Sequence, residues 1–131
     1  MPPKKCLIVD DQESVRGYLR AILEDEFQTV EAEDGIQGLR LVEKLGSELD
    51  LIVTDIQMPT GDGMTFACSV RESFPALPIV LVSGYVGSYE RACRGTSFTF
   101  VKKPFPPEAL LTAIASATSR CASSMASSAT C

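Results

Sequence analysis

The sequence predicts an α/β fold in which a parallel sheet is covered by helices on both faces. Short apolar runs rich in β-branched residues alternate along the chain with segments whose apolar residues recur at helical spacing. Aspartates directly follow two of these apolar runs. Because this alternation implies right-handed crossovers, the carboxyl ends of the strands should meet at one edge of the sheet.

Four apolar runs predict strands, and a fifth is weaker. The four are Cys6 to Val9, Leu51 to Thr54, Ile79 to Val82 and Phe98 to Val101, and the weaker candidate is Phe27 to Ala32. Apolar residues recur at helical spacing in four further segments. The first three contain Val15, Leu19, Ile22 and Leu23; Leu39, Val42 and Leu45; and Met64, Ala67 and Val70. The fourth follows Pro106 and Pro107 and contains Leu110, Leu111, Ile114 and Ala117. Between the fourth and fifth strands only a short helical candidate remains, Tyr89 to Arg94.

The length of 131 residues fits one domain with a sizeable core. We expect this domain to cover residues 1–116. Residues 117–131 are rich in Ala and Ser and poor in large hydrophobic residues, which predicts a tail: a helix end, a linker remnant or a tag.

The composition argues against several classes of function. The net charge is −5 and the basic residues are scattered, whereas direct nucleic-acid binding requires a concentrated Lys/Arg face. The first apolar run is too short for a signal peptide or a membrane span, so we expect a cytoplasmic protein without membrane insertion. Five cysteines without a C-x-x-C pair, in a chain without histidine, disfavour structural zinc. We expect reduced thiols packed as small hydrophobic residues.

Three aspartates are predicted to converge at the sheet edge. Asp10 and Asp11 follow the first apolar run, and Asp55 directly follows the run that begins at Leu51. Like charges at ~4 Å cost on the order of 4 kcal/mol at an effective dielectric near 20, so a hard cation or a lysine must offset them. Mg²⁺ is the natural occupant, since it prefers oxygen ligands. Calcium is disfavoured because its ligands usually share one short loop.

Two further groups end strands at the same edge. Lys103 could hold a phosphoryl oxygen; Lys102 is the rival, but Pro104 restricts the backbone of Lys103 and gives it the more defined direction. Ser83 brings a hydroxyl, followed by Gly84, which leaves a backbone N–H accessible to an anion. The alternatives are a solvated strand end for the lysines and a turn-forming role for the serine.

Carboxylates can attack phosphorus and form an acyl phosphate. Asp55 is the favoured nucleophile, because it follows a central apolar strand and precedes a loop relaxed by Gly61 and Gly63. The other two aspartates would bind metal.

Four fragments together resemble the receiver domain of two-component response regulators. They are Ile8-Val9-Asp10-Asp11, Asp55-Ile56-Gln57-Met58-Pro59 with Asp62-Gly63-Met64, Val82-Ser83-Gly84, and Phe100-Val101-Lys102-Lys103-Pro104-Phe105. The resemblance covers Lys4 to about Ser116. It implies a flavodoxin-like, doubly wound sheet of five parallel strands in the order 2-1-3-4-5.

The resemblance also implies a metal-dependent phosphoacceptor site. Asp55 would accept a phosphoryl group, Asp11 and Asp55 would ligate Mg²⁺ directly, Asp10 would assist through water, and the backbone carbonyl of Gln57 would add a ligand. The domain would at most catalyse its own phosphorylation and dephosphorylation.

Three residues would respond to the phosphoryl group, and two of them, Ser83 and Phe100, would form the switch. Lys103 and the Ser83 hydroxyl would contact the phosphoryl oxygens, and the ring of Phe100 would move inward when the serine is drawn toward the phosphate. An ordinary core phenylalanine is the alternative reading of Phe100.

A partner must supply the phosphoryl group, because the chain has no histidine of its own. The resemblance implies a histidine kinase or phosphotransfer protein, with a small acyl phosphate as a further source. It places docking on Gln12 to Leu19 and Phe105 to Pro107. The downstream effector, a weak homodimer, and the choice between a free-standing regulator and a domain of a hybrid kinase stay open.

Three other functions compete with this reading. A phosphohydrolase of the haloacid-dehalogenase type would show D-x-D after the first strand, and Gln12 follows Asp11 instead. A flavodoxin-like cofactor binder would need a phosphate loop where Asp10 stands. A degenerate receiver would bind partners without phosphorylation.

Overall fold

The structure is a computed structural model that describes residues 4–56, 63–84 and 98–126, with side chains to residue 119. Five parallel strands form one sheet in the order β2-β1-β3-β4-β5, which confirms the predicted fold class and strand order. The strands are β1 (Lys4–Val9), β2 (Phe27–Ala32), β3 (Leu51–Asp55), β4 (Ile79–Ser83) and β5 (Thr99–Lys102). The described helices are α1 (Glu13–Leu23), α2 (Gly35–Leu45), α3 (Gly63–Ser73) and α4 (Pro107–Ala126), with a 3₁₀ turn at Gly46–Glu48.

Helices cover both faces of the sheet, so its strands are apolar on both sides. One core layer packs α1 and α4 against a set of strand residues that includes Ile8, Val53 and Val80. The other packs α2 and α3 against the alternate residues, among them Leu7, Ile52 and Leu81. This two-sided burial explains why the strands read as continuous apolar runs rather than as alternating patterns.

Two polar contacts stabilise the helix ends on the α2–α3 side. Asp34 caps α2, because its side chain accepts a hydrogen bond of 2.8 Å from the Gln37 backbone N–H. Arg71 closes the end of α3: its Nη1 donates to the carbonyl oxygens of Phe74, Pro75 and Leu77. The Arg71 guanidinium also lies 5.4 Å from the centroid of the Phe98 ring, just before β5.

The strand ends differ slightly from the predicted ones. β3 and β4 continue one residue past their apolar runs, to Asp55 and Ser83, and β5 is shifted one residue toward the C terminus. The cause is the backbone ladder, which pairs Asp55 with Val82 and Ser83 with Lys102 regardless of side-chain polarity.

α4 continues past residue 116 to Ala126, and Ala117 is buried in the core; the domain boundary itself stays a prediction.

Cys6 is buried as predicted, whereas Cys68 is exposed on α3, because it lies on the solvent face of that helix. The helical candidate Tyr89 to Arg94 lies outside the described residues. None of the described helices has the length and apolarity needed to cross a membrane.

Candidate functional site

The strand register brings the two aspartate-bearing strand ends together. Val9 in β1 pairs with Thr54 in β3, so the next residues, Asp10 and Asp55, lie side by side where these neighbouring strands end. On the other side of β3, the Ile56 backbone N–H donates to the Val82 carbonyl oxygen at 3.1 Å, which ties the end of β3 to β4.

Three carboxylates form a compact acidic cluster at this edge. One carboxylate oxygen from each of Asp10, Asp11 and Asp55 lies within 4.8 Å of the others. Asp10 and Asp55 are buried, with 1% and 6% of their surface exposed, while Asp11 faces solvent. Solvent therefore reaches the cluster at Asp11.

Asp10 is held by contacts on three of its polar atoms. Its N–H donates to the Ala32 carbonyl at 3.1 Å, its carbonyl accepts from Nη1 of Arg16 at 2.6 Å, and its Oδ1 accepts from the Gln12 N–H at 2.9 Å. Its Oδ2 is buried without a hydrogen bond. Burial raises the pKa of this carboxyl above its usual value, although the Gln12 N–H and the Lys103 ammonium oppose the rise.

Lys103 lies between the two buried aspartates. Its Nζ is 3.5 Å from Oδ2 of Asp10 and 3.5 Å from Oδ1 of Asp55, so both contacts are ion pairs without close hydrogen-bond geometry. The Lys103 N–H donates to the Ser83 carbonyl at 2.8 Å, and the peptide bond to Pro104 is cis. Lys102, the rival in the sequence, is exposed on β5.

The remaining predicted site residues lie around this cluster. Ser83 is fully buried at the end of β4, directly beside Lys102 in register. Phe100 is half-buried on β5 and packs against the core layer of α2 and α3. Gln57, the predicted backbone ligand, lies outside the described residues, as does Gly61.

Gly63 allows α3 to begin directly against the strand end that carries Asp55. Its N–H donates to the Ile56 carbonyl at 2.8 Å. A Cβ at this position would overlap the Asp55 carbonyl oxygen and lie 2.8 Å from the Ile56 Cα atom. Only glycine therefore fits at this approach of two backbones.

Arg16 is a neighbour of the cluster that the sequence did not single out. In addition to the Asp10 carbonyl, its guanidinium binds Glu31, with 3.1 Å between Nε and Oε1. The second oxygen of Glu31 accepts from Arg20 at 2.6 Å. No local signal predicts these contacts, because Glu31 comes from β2 and the Asp10 acceptor is a backbone atom.

A mostly apolar cavity of about 470 Å³ adjoins the cluster. It is lined by Val15, Tyr18, Lys103, Pro104 and Phe105. Tyr18 fixes one wall, because its hydroxyl donates to the Phe105 carbonyl at 2.8 Å and its ring centroid is 5.7 Å from that of Phe105. Lys103 is thus shared between this cavity and the acidic cluster.

The cluster fits a small hard cation. All three donors are carboxylates, one buried oxygen of Asp10 has no hydrogen bond, and the three acids together with the Lys103 ammonium carry a formal charge of about −2. Direct ligands on opposite sides of one Mg²⁺ lie about 4 Å apart, so the three oxygens, which lie within 4.8 Å of one another, are close to the spacing that one ion needs. Mg²⁺ held by these residues would offset their remaining charge.

Residues 6–115 match the sequence profile of the response regulator receiver domain. The chain belongs to this family. Receiver domains are phosphoacceptor domains of two-component signalling rather than enzymes with external substrates, and they bind Mg²⁺ at an acidic site.

The relatives of this receiver domain include kinases and short regulators. It is 34% identical over 111 residues to the sensor kinase CckA of Brucella abortus, covering 82% of this chain and 12% of CckA. It is 32% identical over 115 residues to the chemotaxis protein CheY of Halobacterium salinarum, covering 85% of this chain and 93% of CheY. The crystal structure of a response regulator receiver protein from Sinorhizobium medicae superimposes with a TM-score of 0.79 at 28% identity, covering 89% of this chain and 95% of that one.

Proposed function

We propose that Asp55 accepts a phosphoryl group in a Mg²⁺-dependent reaction and that the modified domain then changes its protein contacts. The observation that carries this assignment is the position of Asp55, buried at the end of a central strand with Lys103 Nζ 3.5 Å from its Oδ1. Asp10 is more deeply buried than Asp55, with 1% against 6% of its surface exposed, so a donor reaches it less easily. Asp11 is exposed and suits a metal ligand.

The proposed chemistry is phosphoryl transfer to a carboxylate. An oxygen of Asp55 forms the new bond to phosphorus while the donor's bond to phosphorus breaks, and the leaving group departs with the electron pair. Lys103 is placed to neutralise charge on the transferred group. Asp10, Asp11 and Asp55, with the backbone carbonyl of Gln57, would hold Mg²⁺. When bound, the ion would offset phosphoryl and carboxylate charge together.

We assign the response to the modification to Ser83 and Phe100. Ser83 ends the strand next to β3, and Phe100 on β5 is only half-buried, so an inward movement of its ring would bury more of it. If the Ser83 hydroxyl is drawn toward a phosphoryl group on Asp55, it leaves space for the Phe100 ring. This movement would change the exposed surface of β5 to which a partner can bind.

Intact-mass spectrometry tests the acceptor assignment. The protein is incubated with acetyl phosphate and MgCl₂, and the expected result is one phosphoryl adduct that disappears in Asp55→Asn and in EDTA. Asp25→Asn, which changes an exposed aspartate beyond α1, should keep the adduct. An adduct that persists in Asp55→Asn, or none in folded wild type, would contradict the proposal; the second result would favour a degenerate receiver.

We further propose that the natural donor is a histidine kinase or phosphotransfer protein that docks over the cavity beside Lys103. The cavity walls from Val15, Tyr18 and Phe105 are apolar, and the cavity shares Lys103 with the acceptor cluster. A donor side chain seated there would approach Asp55 directly. The sensor kinases among the relatives support this class of partner.

Comparing two donors isolates the docking step. Tyr18→Ala should slow transfer from a phosphorylated histidine kinase by about tenfold, because it removes an aromatic anchor, while acetyl phosphate should react at the wild-type rate. Leu111→Ala removes another exposed apolar side chain, on α4, and should leave both rates unchanged. Equal slowing with both donors would place Tyr18 in the reaction rather than in docking.

A further inference from the structure

An arginine is buried directly behind the acidic cluster. The side chain of Arg16 is only 10% exposed, although arginine is rarely buried unless it is paired. Its Nη1 donates to the backbone carbonyl of Asp10 at 2.6 Å, a short charge-assisted bond. The arginine therefore contacts the backbone of the cluster.

The bonded carbonyl belongs to the peptide unit that joins Asp10 to Asp11. Because a peptide unit is planar, a donor that holds its oxygen also fixes the direction of the Asp11 N–H. Rotation is then restricted about the bonds on both sides of this unit, which set the directions of the two side chains. One contact thus orients two of the three carboxylates.

Glu31 holds the arginine in place from the neighbouring strand. Its Oε1 is 3.1 Å from Nε of Arg16, and its Oε2 is 2.6 Å from Nη1 of Arg20. The planar guanidinium can donate to Glu31 and to the Asp10 carbonyl at once. A lysine at position 16 would keep the charge but could not reproduce this rigid fork.

We propose that Arg16 is a positioning residue for the acidic cluster: through the carbonyl of Asp10 it sets the peptide that orients Asp10 and Asp11, and thereby the affinity for Mg²⁺. This inference rests on the proposed function of the cluster and extends it to a residue outside the cluster. Among the described residues, Arg20 also binds Glu31 but does not contact Asp10, so it serves as the matched control.

Isothermal titration with MgCl₂ tests the proposal on the metal alone. Arg16→Ala should weaken Mg²⁺ binding by about tenfold or more, as loss of a group that orients metal ligands commonly does, and Arg16→Lys should also weaken it. Arg20→Ala removes the same charge from Glu31 and should change the Kd by less than about twofold. Urea unfolding in EDTA measures the stability of each variant separately.

Amide hydrogen exchange in EDTA gives a readout without metal. The Gln12 N–H is bonded to Oδ1 of Asp10, so its protection should fall in Arg16→Ala as Asp10 loosens. The Gly38 N–H, bonded to the Asp34 carbonyl in α2, should keep its protection. A general loss of stability would lower both.

Several results would overturn the proposal. A folded Arg16→Ala that binds Mg²⁺ like the wild type would do so, and if that variant does not fold, Arg16→Lys with wild-type affinity decides in the same way. Equal weakening in Arg20→Ala would show a charge effect instead of positioning. If the wild type itself neither binds Mg²⁺ nor takes phosphate, the proposed function fails as well; if it does both, only the role of Arg16 is in question.

Discussion

Neutralising Asp10 should stabilise the metal-free protein. Its carboxylate lies within 4.8 Å of those of Asp11 and Asp55 and 3.5 Å from Nζ of Lys103, and it is almost fully buried. Asparagine has the same shape and can still accept the Gln12 N–H through its Oδ1. Asp10→Asn therefore removes the charge while it keeps the packing and the hydrogen bond.

The contacts give the expected magnitude. At an effective dielectric of 20, two like charges 4.8 Å apart repel by about 3.5 kcal/mol, and Lys103 at 3.5 Å attracts by about 4.7 kcal/mol. Two repulsions against one attraction leave the Asp10 charge unfavourable by about 2 kcal/mol. Solvent screening of exposed Asp11 and the weaker hydrogen bond to a neutral acceptor reduce the gain, so we expect about 1 to 2 kcal/mol.

The gain should depend on pH in a defined direction. Burial raises the pKa of Asp10 in the folded protein. The protonated carboxyl therefore contributes its full share to the free energy of unfolding of the wild type below the unfolded pKa, about 3.9. This contribution is lost as the pH rises through the pKa of the folded state. Asparagine does not titrate. The advantage of Asp10→Asn should therefore be largest at neutral pH and vanish near pH 4.

Urea unfolding followed by circular dichroism measures these differences, in EDTA and across pH. Exposed Asp25→Asn is the control and should stay within about 0.5 kcal/mol of wild type. Net repulsion on Asp10 is ruled out if Asp10→Asn leaves the free energy of unfolding unchanged or lowers it at pH 7 in EDTA, or if the control gains as much.

Three further variants test local features of the fold by urea unfolding. Gly63→Ala should cost at least about 2 kcal/mol, because the new Cβ overlaps the Asp55 carbonyl; a cost below 0.5 kcal/mol would refute the close approach. Asp34→Ala should lower the free energy of unfolding by about 1 kcal/mol through loss of the α2 cap. Asp34→Asn should keep most of the stabilisation that the cap provides. Arg71→Ala should cost about 2 kcal/mol, because three carbonyl oxygens lose the hydrogen bond from its guanidinium and the face of Phe98 loses the cation; an unchanged unfolding midpoint would contradict that role.

The fold was predictable because burial on both faces leaves a strong local pattern. Continuous apolar runs marked the strands, and Phe27–Ala32, the weakest candidate, is a strand because it pairs with β1 along its whole length. The one-residue differences at Asp55 and Ser83 arise from backbone pairing, which a polarity pattern does not report.

The site was predictable only in part. Aspartates after apolar strands predicted the acidic cluster, since parallel strands end at one edge of the sheet. Pro104 favoured Lys103 over Lys102 in the sequence, but the contacts of the Lys103 ammonium with both Asp10 and Asp55 needed coordinates, because they depend on where the side chain leaves the sheet. Arg16 was not predictable, because it acts through a backbone carbonyl and through Glu31 on another strand.

The most direct test of the central claim is to locate the phosphoryl group. The protein is treated with acetyl phosphate and MgCl₂, then with borohydride, which reduces an aspartyl phosphate to homoserine, and the peptides are sequenced by tandem mass spectrometry. We expect homoserine at position 55 alone, and none when EDTA is added before acetyl phosphate. Homoserine at position 10 or 11, or none anywhere in folded protein, would contradict it.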